Sequence, residues 1–361
     1  MIMIFSLTGI NTVNGQILKD TVSLNNLKDA VDCIYNLRFD KAQEISEKLR
    51  ESYPRHPVIY LLNAMIIYWE NYPVIPTSPI SVSFEDNLRK CIALCEEDSD
   101  PDDFAEYLLA NLGARGMLLE YLADNDLSDK VFSLAKSTYR FLRQSFNYTS
   151  SYYDFYFFTG LYNYYREAYP DAHPVYKVIA FIFPKGDIEN GLDDMHTAAE
   201  HSIMLKAESL FFLSYIYVNY ENNYQKASVY SKALTEISPG NLEYRTIYIR
   251  NLMLLKKYDE AEIIIRSSEK IKMNSFFRAK FVIFDGIIQE KKYHRNDLAE
   301  NFYNEGINSI SEYGYFGNEY KAYALFGLSR LSDMKGDKHN KKTYRKKAMD
   351  ISNFRKINFD E

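Results

Sequence analysis

Turn formers are scarce in this chain: 14 glycines and 10 prolines in 361 residues, against averages of about 7% and 5%. The shortage argues against an all-β sandwich and a glycine-rich nucleotide-binding fold, and favours helices. Cysteine is scarcer still. Cys33, Cys91 and Cys95 make no disulfide framework. Cys91 and Cys95, four apart on one apolar helical face, read as small core residues, with no histidine at metal-ligand spacing. A basic excess is also missing. The 43 Lys and Arg against 49 Asp and Glu leave a net charge of −6, without the strongly basic face that nucleic-acid binding uses. No stretch reaches 18 uninterrupted apolar residues, so no transmembrane span is expected, although peripheral membrane association stays open. Aromatic residues are what the chain has in plenty, 32 Tyr and 23 Phe beside one Trp.

Residues 1–16 read as the tail of a secretory signal: an apolar stretch, then a polar run with Val13 and Gly15 at the −3 and −1 positions of a cut before Gln16. The pattern resembles the signal peptides of exported Bacteroidetes proteins. It departs from them in lacking a positive start, since the first basic residue is Lys19. The expectation is an exported, periplasmic or outer-membrane-associated protein, with a cytoplasmic one as the alternative.

Three segments align on one short pattern: Phe39-Asp-Lys-Ala42, Tyr224-Gln-Lys-Ala227 and Tyr258-Asp-Glu-Ala261. The last two are 34 residues apart, and proline follows twelve residues after the alanine in two of them, at Pro54 and Pro239. A small side chain is needed where two antiparallel helices cross closely, and proline cannot continue a helix. These residues resemble the tetratricopeptide repeat family. The resemblance implies an all-α, right-handed superhelical solenoid of antiparallel helix pairs, each pair completing its core only by stacking on the next. The clearest repeats are 208–241 and 242–275. The unit with Ala299 lies 38 residues after Ala261 and therefore has a longer loop or helix. Near the C-terminus the mid-helix alanine is replaced by Lys341, as suits a terminal cap with a solvated outer face.

Elsewhere the periodicity gives two helical hairpins between Pro57 and Ser150, one connected through Tyr72–Pro79 and the other broken at Asp124–Asp126. An aromatic helix from Tyr152 to Tyr169 ending at Pro170, an apolar stretch from Val175 to Phe183, and a helix from Ile188 to about His201 follow. No Gly/Ser-rich linker divides residues 16–361, so one continuous solenoid is expected.

Chemistry is hard to find. His196, Glu200 and His201 suggest an inverted zinc-protease motif, but the histidines are five apart, about 140° around a helix, and cannot easily share a metal. The carboxylates Glu96, Glu97, Asp98, Asp100, Asp102 and Asp103 sit at a helix end and in a polar loop. No nucleophile elbow and no phosphate-cradling loop is present. Neither catalytic residues, a metal nor a cofactor is expected. The C-terminal cations Lys335 to Lys347, with Arg355 and Lys356, read as a solvated capping face or as a patch for an acidic partner. The aromatics between Tyr148 and Tyr169 read as a wide helix–helix core or as a displayed contact surface.

The fold and the resemblance imply a non-enzymatic scaffold that binds a protein or peptide in a groove lined by the first helices. From helix position, the candidate contacts are Tyr156, Tyr165, Tyr217, Tyr248, Arg250 and Asn251. The alternatives are an exported carbohydrate-binding accessory that uses exposed tyrosines, and an enzyme with its site in the groove around Glu200 or Asp103.

Overall fold

The computed structural model describes residues 16–97, 104–172, 183–352 and 357–360. The signal-like segment before Gln16, the carboxylates Asp98, Asp100, Asp102 and Asp103, most of the Val175–Phe183 stretch, and Arg355 with Lys356 lie outside them. Every regular element among the described residues is helical. In chain order they are α1 (Thr21–Tyr35), α2 (Phe39–Ser52), α3 (Val58–Glu70), α4 (Ile80–Glu97), α5 (Phe104–Asp124), α6 (Ser128–Ser145), α7 (Phe155–Ala172) and α8 (Ile188–His201). The series continues with α9 (Lys206–Asn219), α10 (Tyr224–Ile237), α11 (Leu242–Leu254), α12 (Tyr258–Ser268), α13 (Ser275–Lys291) and α14 (Asn296–Ile310). A 3-10 turn (Ser311–Gly317), α15 (Asn318–Met334) and α16 (Lys338–Ile351) complete it.

The repeat pattern lands on these boundaries. Phe39, Tyr224 and Tyr258 are the first residues of α2, α10 and α12. Ala42, Ala227, Ala261 and Ala299 are all fully buried, which is what a residue without bulk at a close helix crossing should be. Consecutive helices pack as pairs, α9 with α10, α11 with α12, α13 with α14 and α15 with α16, and each pair also packs on the next. The result is a helical solenoid. Six helix-to-helix connections repeat one device, a single residue in the left-handed region: Leu37, Asp126, Asn222, Lys256, His294 and Gly336, with φ between 51° and 76°. Only glycine adopts it freely. Helix starts are held by side-chain caps, with Asp187 accepting from Asn190 N, Asn223 from Lys226 N and Asn274 from Phe277 N, each at 3.0 Å.

The aromatic helix differs in detail from its expected bounds. It begins at Phe155 rather than Tyr152 and carries Pro170 within its last turns. It approaches α8 closely because both faces are glycine. A Cβ at Gly191 would fall 2.6 Å from Tyr164 N, and one at Gly160 would fall 2.9 Å from Gly191 O.

The described chain, read above as a single run, divides into two compact units. The first comprises the residues up to Asn71 and Val82–Leu118. In it the buried Glu106 carboxylate accepts from Ile17 N (3.0 Å) and Leu18 N (2.7 Å) and meets His56 Nε2 (3.0 Å), so it ties the start of α5 to the beginning of the described chain. The second comprises Tyr72–Ser81 and the residues from Leu119 onward. Its C-terminal end is closed by Ile357 and Phe359, both buried, with Phe359 edge-on to Tyr323 at 5.1 Å.

Candidate functional site

In the second unit α11, α13 and α15 share one face, and side chains cross it from helix to helix. Lys280 on α13 is 1% exposed and its Nζ is bonded to the Glu243 carboxylate on α11. Aromatic rings cage the same ammonium, Phe276 at 4.4 Å, Tyr320 at 4.5 Å, Phe277 at 5.3 Å and Tyr72 at 5.8 Å. Arg250 on α11 reaches Glu319 on α15, Nη1 to Oε1 3.0 Å, and the Tyr323 hydroxyl donates to the same carboxylate. The end of α5 faces this cluster and adds Glu120 and Asp124, one turn apart.

Burial dominates the electrostatics. It pulls the Lys280 ammonium below its ordinary value, against the opposing pull of Glu243. It raises the Glu120 carboxyl to about 7, with the Glu243 charge adding to the rise. Asp124 is pushed well up by burial, then by Glu120, Glu243 and Glu319. Glu208, on α9, is raised to about 8 by burial. A carboxyl raised in the native state holds a proton there that the unfolded chain releases near 4.5, so the native state binds more protons across the interval. Stability is therefore expected to fall as pH rises from about 4.5 to about 8, with a slope of up to about 1.4 kcal/mol per pH unit for each such group. Urea unfolding at pH 5 and pH 8 checks this. Glu208→Gln should flatten the dependence and be the more stable protein at pH 8; equal slopes for both proteins would contradict the assignment.

An irregular segment of the chain lies against this face, turning at Ile75–Ser78 where Ser78 N donates to Ile75 O at 2.9 Å. Tyr72 stacks on Phe277 (5.7 Å, 16°) and meets Phe316 edge-on at 5.5 Å. The Tyr72 carbonyl accepts from Asn274 Nδ2 at 2.7 Å, and the Val74 carbonyl from Asn125 Nδ2 at 3.3 Å. Val74 is fully buried. The segment, with Pro73, Pro76 and Pro79, has no regular structure until α4 begins at Ile80.

The contacts expected from helix position fall differently. Asn251 is fully buried, and its amide donates to Ser214 Oγ (2.9 Å), Ser231 Oγ (2.9 Å) and Ala227 O (3.2 Å), which makes it a bracket between helix pairs. Tyr217 is buried; its ring stacks on Tyr230 and His196, and its hydroxyl meets His196 Nε2 at 3.1 Å. Tyr248 is buried as well. Tyr165 is packed edge-on against Tyr164 and Tyr220, and its hydroxyl is buried with no hydrogen-bond partner. Tyr156 is half-buried and stacked on Tyr153. Arg250 alone belongs to the shared face, as an internal ion pair.

The aromatic cluster is divided: Phe155, Phe157, Phe158 and Tyr164 are buried, whereas Tyr153, 52% exposed, and Tyr169 are displayed. The tempting histidines part company. His196 packs on Tyr217 and Tyr230, whereas His201 lies against Tyr153. Among the described residues no three His, Cys, Asp or Glu side chains converge on a metal-sized point. Several C-terminal cations are engaged at the surface, Lys335 with Glu300, Lys341 with Asp333 and Arg345 with Asp360. Among the described residues no helix is long and apolar enough to cross a membrane.

No protein-family model matches the chain, and no characterised protein matches it in sequence. Among solved structures, the chain is similar to the crystal structure of yeast Tom70, with a TM-score of 0.33 and 14% identity over 92% of this chain and 85% of that one.

Proposed function

We propose that this chain is a non-enzymatic scaffold that binds an irregular, proline-containing peptide segment of a partner protein on the face shared by α11, α13 and α15. One observation carries the reading. The chain's own Tyr72–Ser81 lies there as such a ligand would, with an aromatic ring in a socket of rings, a buried aliphatic residue beyond it, and backbone carbonyls held by asparagine amides. Recognition of this kind draws affinity from main-chain hydrogen bonds and selectivity from side-chain pockets. Export of the scaffold is part of the same proposal and rests on residues 1–16 of the sequence. The carbohydrate alternative has Tyr153 and Tyr169 as displayed rings.

The test empties the socket in the full-length chain and offers the segment back. A Tyr72→Ala/Val74→Ser variant and the unaltered protein are titrated with a labelled peptide of residues 70–81, read by fluorescence anisotropy. Saturable binding to the variant, at least tenfold tighter than to the occupied wild type, is the expected result. Equal, non-saturating signals from both proteins would remove the peptide-binding reading.

A further inference from the structure

Helix α6 is amphipathic in sequence and only partly used by the fold. Val131, Leu134, Ala135, Thr138 and Leu142 recur at helical spacing on one side, yet every one of them stays half-buried. Its chief neighbour among the described helices is α7, on which it packs more lightly than the members of the helix pairs pack on each other.

At the edge of this apolar side runs a stripe of rings. Phe132, Tyr139 and Phe146 are seven residues apart, within about 20° of two full turns, so they align along roughly 21 Å of helix. Phe132 is 43% exposed and Phe146 41%. Tyr139 anchors the middle of the stripe, tilted on Tyr162 of α7 at 5.5 Å and edge-on to Phe183 at 4.9 Å, and Phe146 meets Tyr162 edge-on at 6.2 Å. Tyr162 is itself fixed, its hydroxyl donating to Pro184 O at 2.6 Å. The two outer rings are therefore displayed on a firm base.

The charge beside the stripe has one sign. α6 carries four cations, Lys130, Lys136, Arg140 and Arg143, against the single Asp129, in a chain whose net charge is −6. Lys136 and Arg143 each follow a ring of the stripe by four residues and so stand on the adjoining row, with Arg140 one row further round. All three are exposed. Among the described residues Lys136 and Arg143 form no ion pair. Lys48, Arg89 and Lys232, on other helices, each pair with a glutamate four residues away.

We propose that α6 is a docking surface for an anionic lipid bilayer, with Phe132 and Phe146 entering the boundary between headgroups and acyl chains and Lys136, Arg140 and Arg143 meeting lipid phosphates. The occupant follows from shape and charge. Single rings spaced along one helix suit a plane better than a pocket, and a membrane surface is the plane on which amphipathic helices with basic flanks lie. Long cationic side chains beside the rings can reach outward to phosphates while their stems stay against apolar surface. Anionic lipids attract such cations, and the attraction fades within a Debye length. The surface lies on a different helix from the peptide-binding face and does not depend on that reading.

The test uses the full-length chain and flotation with vesicles of pure phosphatidylcholine or of phosphatidylcholine with about one third phosphatidylglycerol. Binding to the anionic vesicles is expected to be about tenfold tighter or more, and to weaken severalfold in about 0.5 M salt. Phe132→Ser/Phe146→Ser and Lys136→Gln/Arg143→Gln should each lose about tenfold, because rings and cations both contribute. The altered positions are exposed, so urea unfolding of both variants should match wild type. Equal flotation with both vesicle types, or with neither, would overturn the proposal. So would binding that either variant leaves unchanged. Polyglutamate bound by wild type in place of anionic vesicles, and released in Lys136→Gln/Arg143→Gln, would also overturn it and assign α6 to an acidic protein.

Discussion

Lys280→Met is expected to cost about 3–5 kcal/mol of stability at pH 8, the range for removing one partner of a buried ion pair. The loss arises from what stays behind. Glu243 is 8% exposed and would lose its only cation in that pair, while Glu120, Asp124 and Glu319 remain close enough to feel one another's charge. The hydrophobic part of the exchange is mild, because methionine fits among Phe276, Phe277 and Tyr320 and makes favourable sulfur–ring contacts. Two comparisons isolate the electrostatic cause. The Lys280→Met/Glu243→Gln double variant should recover most of the loss, since replacing both members of a buried pair is often close to neutral. Lowering the pH to 5 should also narrow the deficit. The raised carboxyls take up protons below about 7, so the uncompensated negative charge that penalises the single variant is present at pH 8 and largely gone at pH 5. Urea unfolding followed by circular dichroism reads all three. A deficit below about 1 kcal/mol at pH 8, too small for a broken buried pair, would mean that the ammonium does not offset these carboxylates.

The helix pairs were legible in the sequence because they depend on residues of one kind at a fixed interval. Ala227 and Ala261 are small for a geometric reason, the interval repeats, and both are fully buried. Pro73, Pro76 and Pro79 likewise forced the Tyr72–Pro79 connection out of helix. The turns inside the pairs are not legible in the sequence, because the left-handed position is filled by leucine, aspartate, asparagine, lysine, histidine and glycine, of which glycine alone adopts it freely. The shared face is not legible in the sequence. Counting positions along one helix does not give its rotation relative to neighbours, and α11 is buried nearly all round, so residues picked as groove contacts, such as Asn251 and Tyr248, became internal packing. A signal was present all the same. Lys280 stands between the buried Ala279 and Phe281, and Glu120 and Asp124 flank Tyr121 and Leu122, both buried. A charge at a position that periodicity assigns to the core needs a partner. Finding that partner required the third dimension, since Lys280 and Glu243 are 37 residues apart.

Arg330→Met is expected to destabilise the C-terminal end by about 3–5 kcal/mol, again through a buried carboxylate, here left with only the longer contact to Lys291 at 3.5 Å as its ion pair. Glu290 on α13 is 2% exposed. Its two oxygens receive a fork from Arg330 on α15, Nε to Oε1 at 2.6 Å and Nη2 to Oε2 at 2.8 Å, and Oε2 also accepts from the Tyr303 hydroxyl of α14 at 2.6 Å. Three successive helices are thereby joined at one carboxylate. Burial alone would raise the Glu290 carboxyl, but the Arg330 fork and Tyr303 outweigh it and hold it below its ordinary range. The fork thus adds stability above pH 4.5 that is lost as pH falls through the depressed native value. Arg330 also donates to Asn358 O and meets Asp360 Oδ1 at 3.3 Å, so its removal should free the segment around Phe359. Packing cannot easily absorb the change. Tyr303 is wedged between two glycines, where a Cβ at Gly327 would fall 2.3 Å from its ring and one at Gly286 would fall 2.7 Å away, leaving the ring no room to follow Glu290. Arg330→Lys keeps the charge but loses the bidentate geometry and should recover only part of the stability. Hydrogen exchange separates the effects: the amides of α15 and α16 should lose protection first in Arg330→Met, while those of α9 and α10 keep theirs. Uniform loss across the second unit would show that these repeats unfold as a single cooperative block instead of from the C-terminal end.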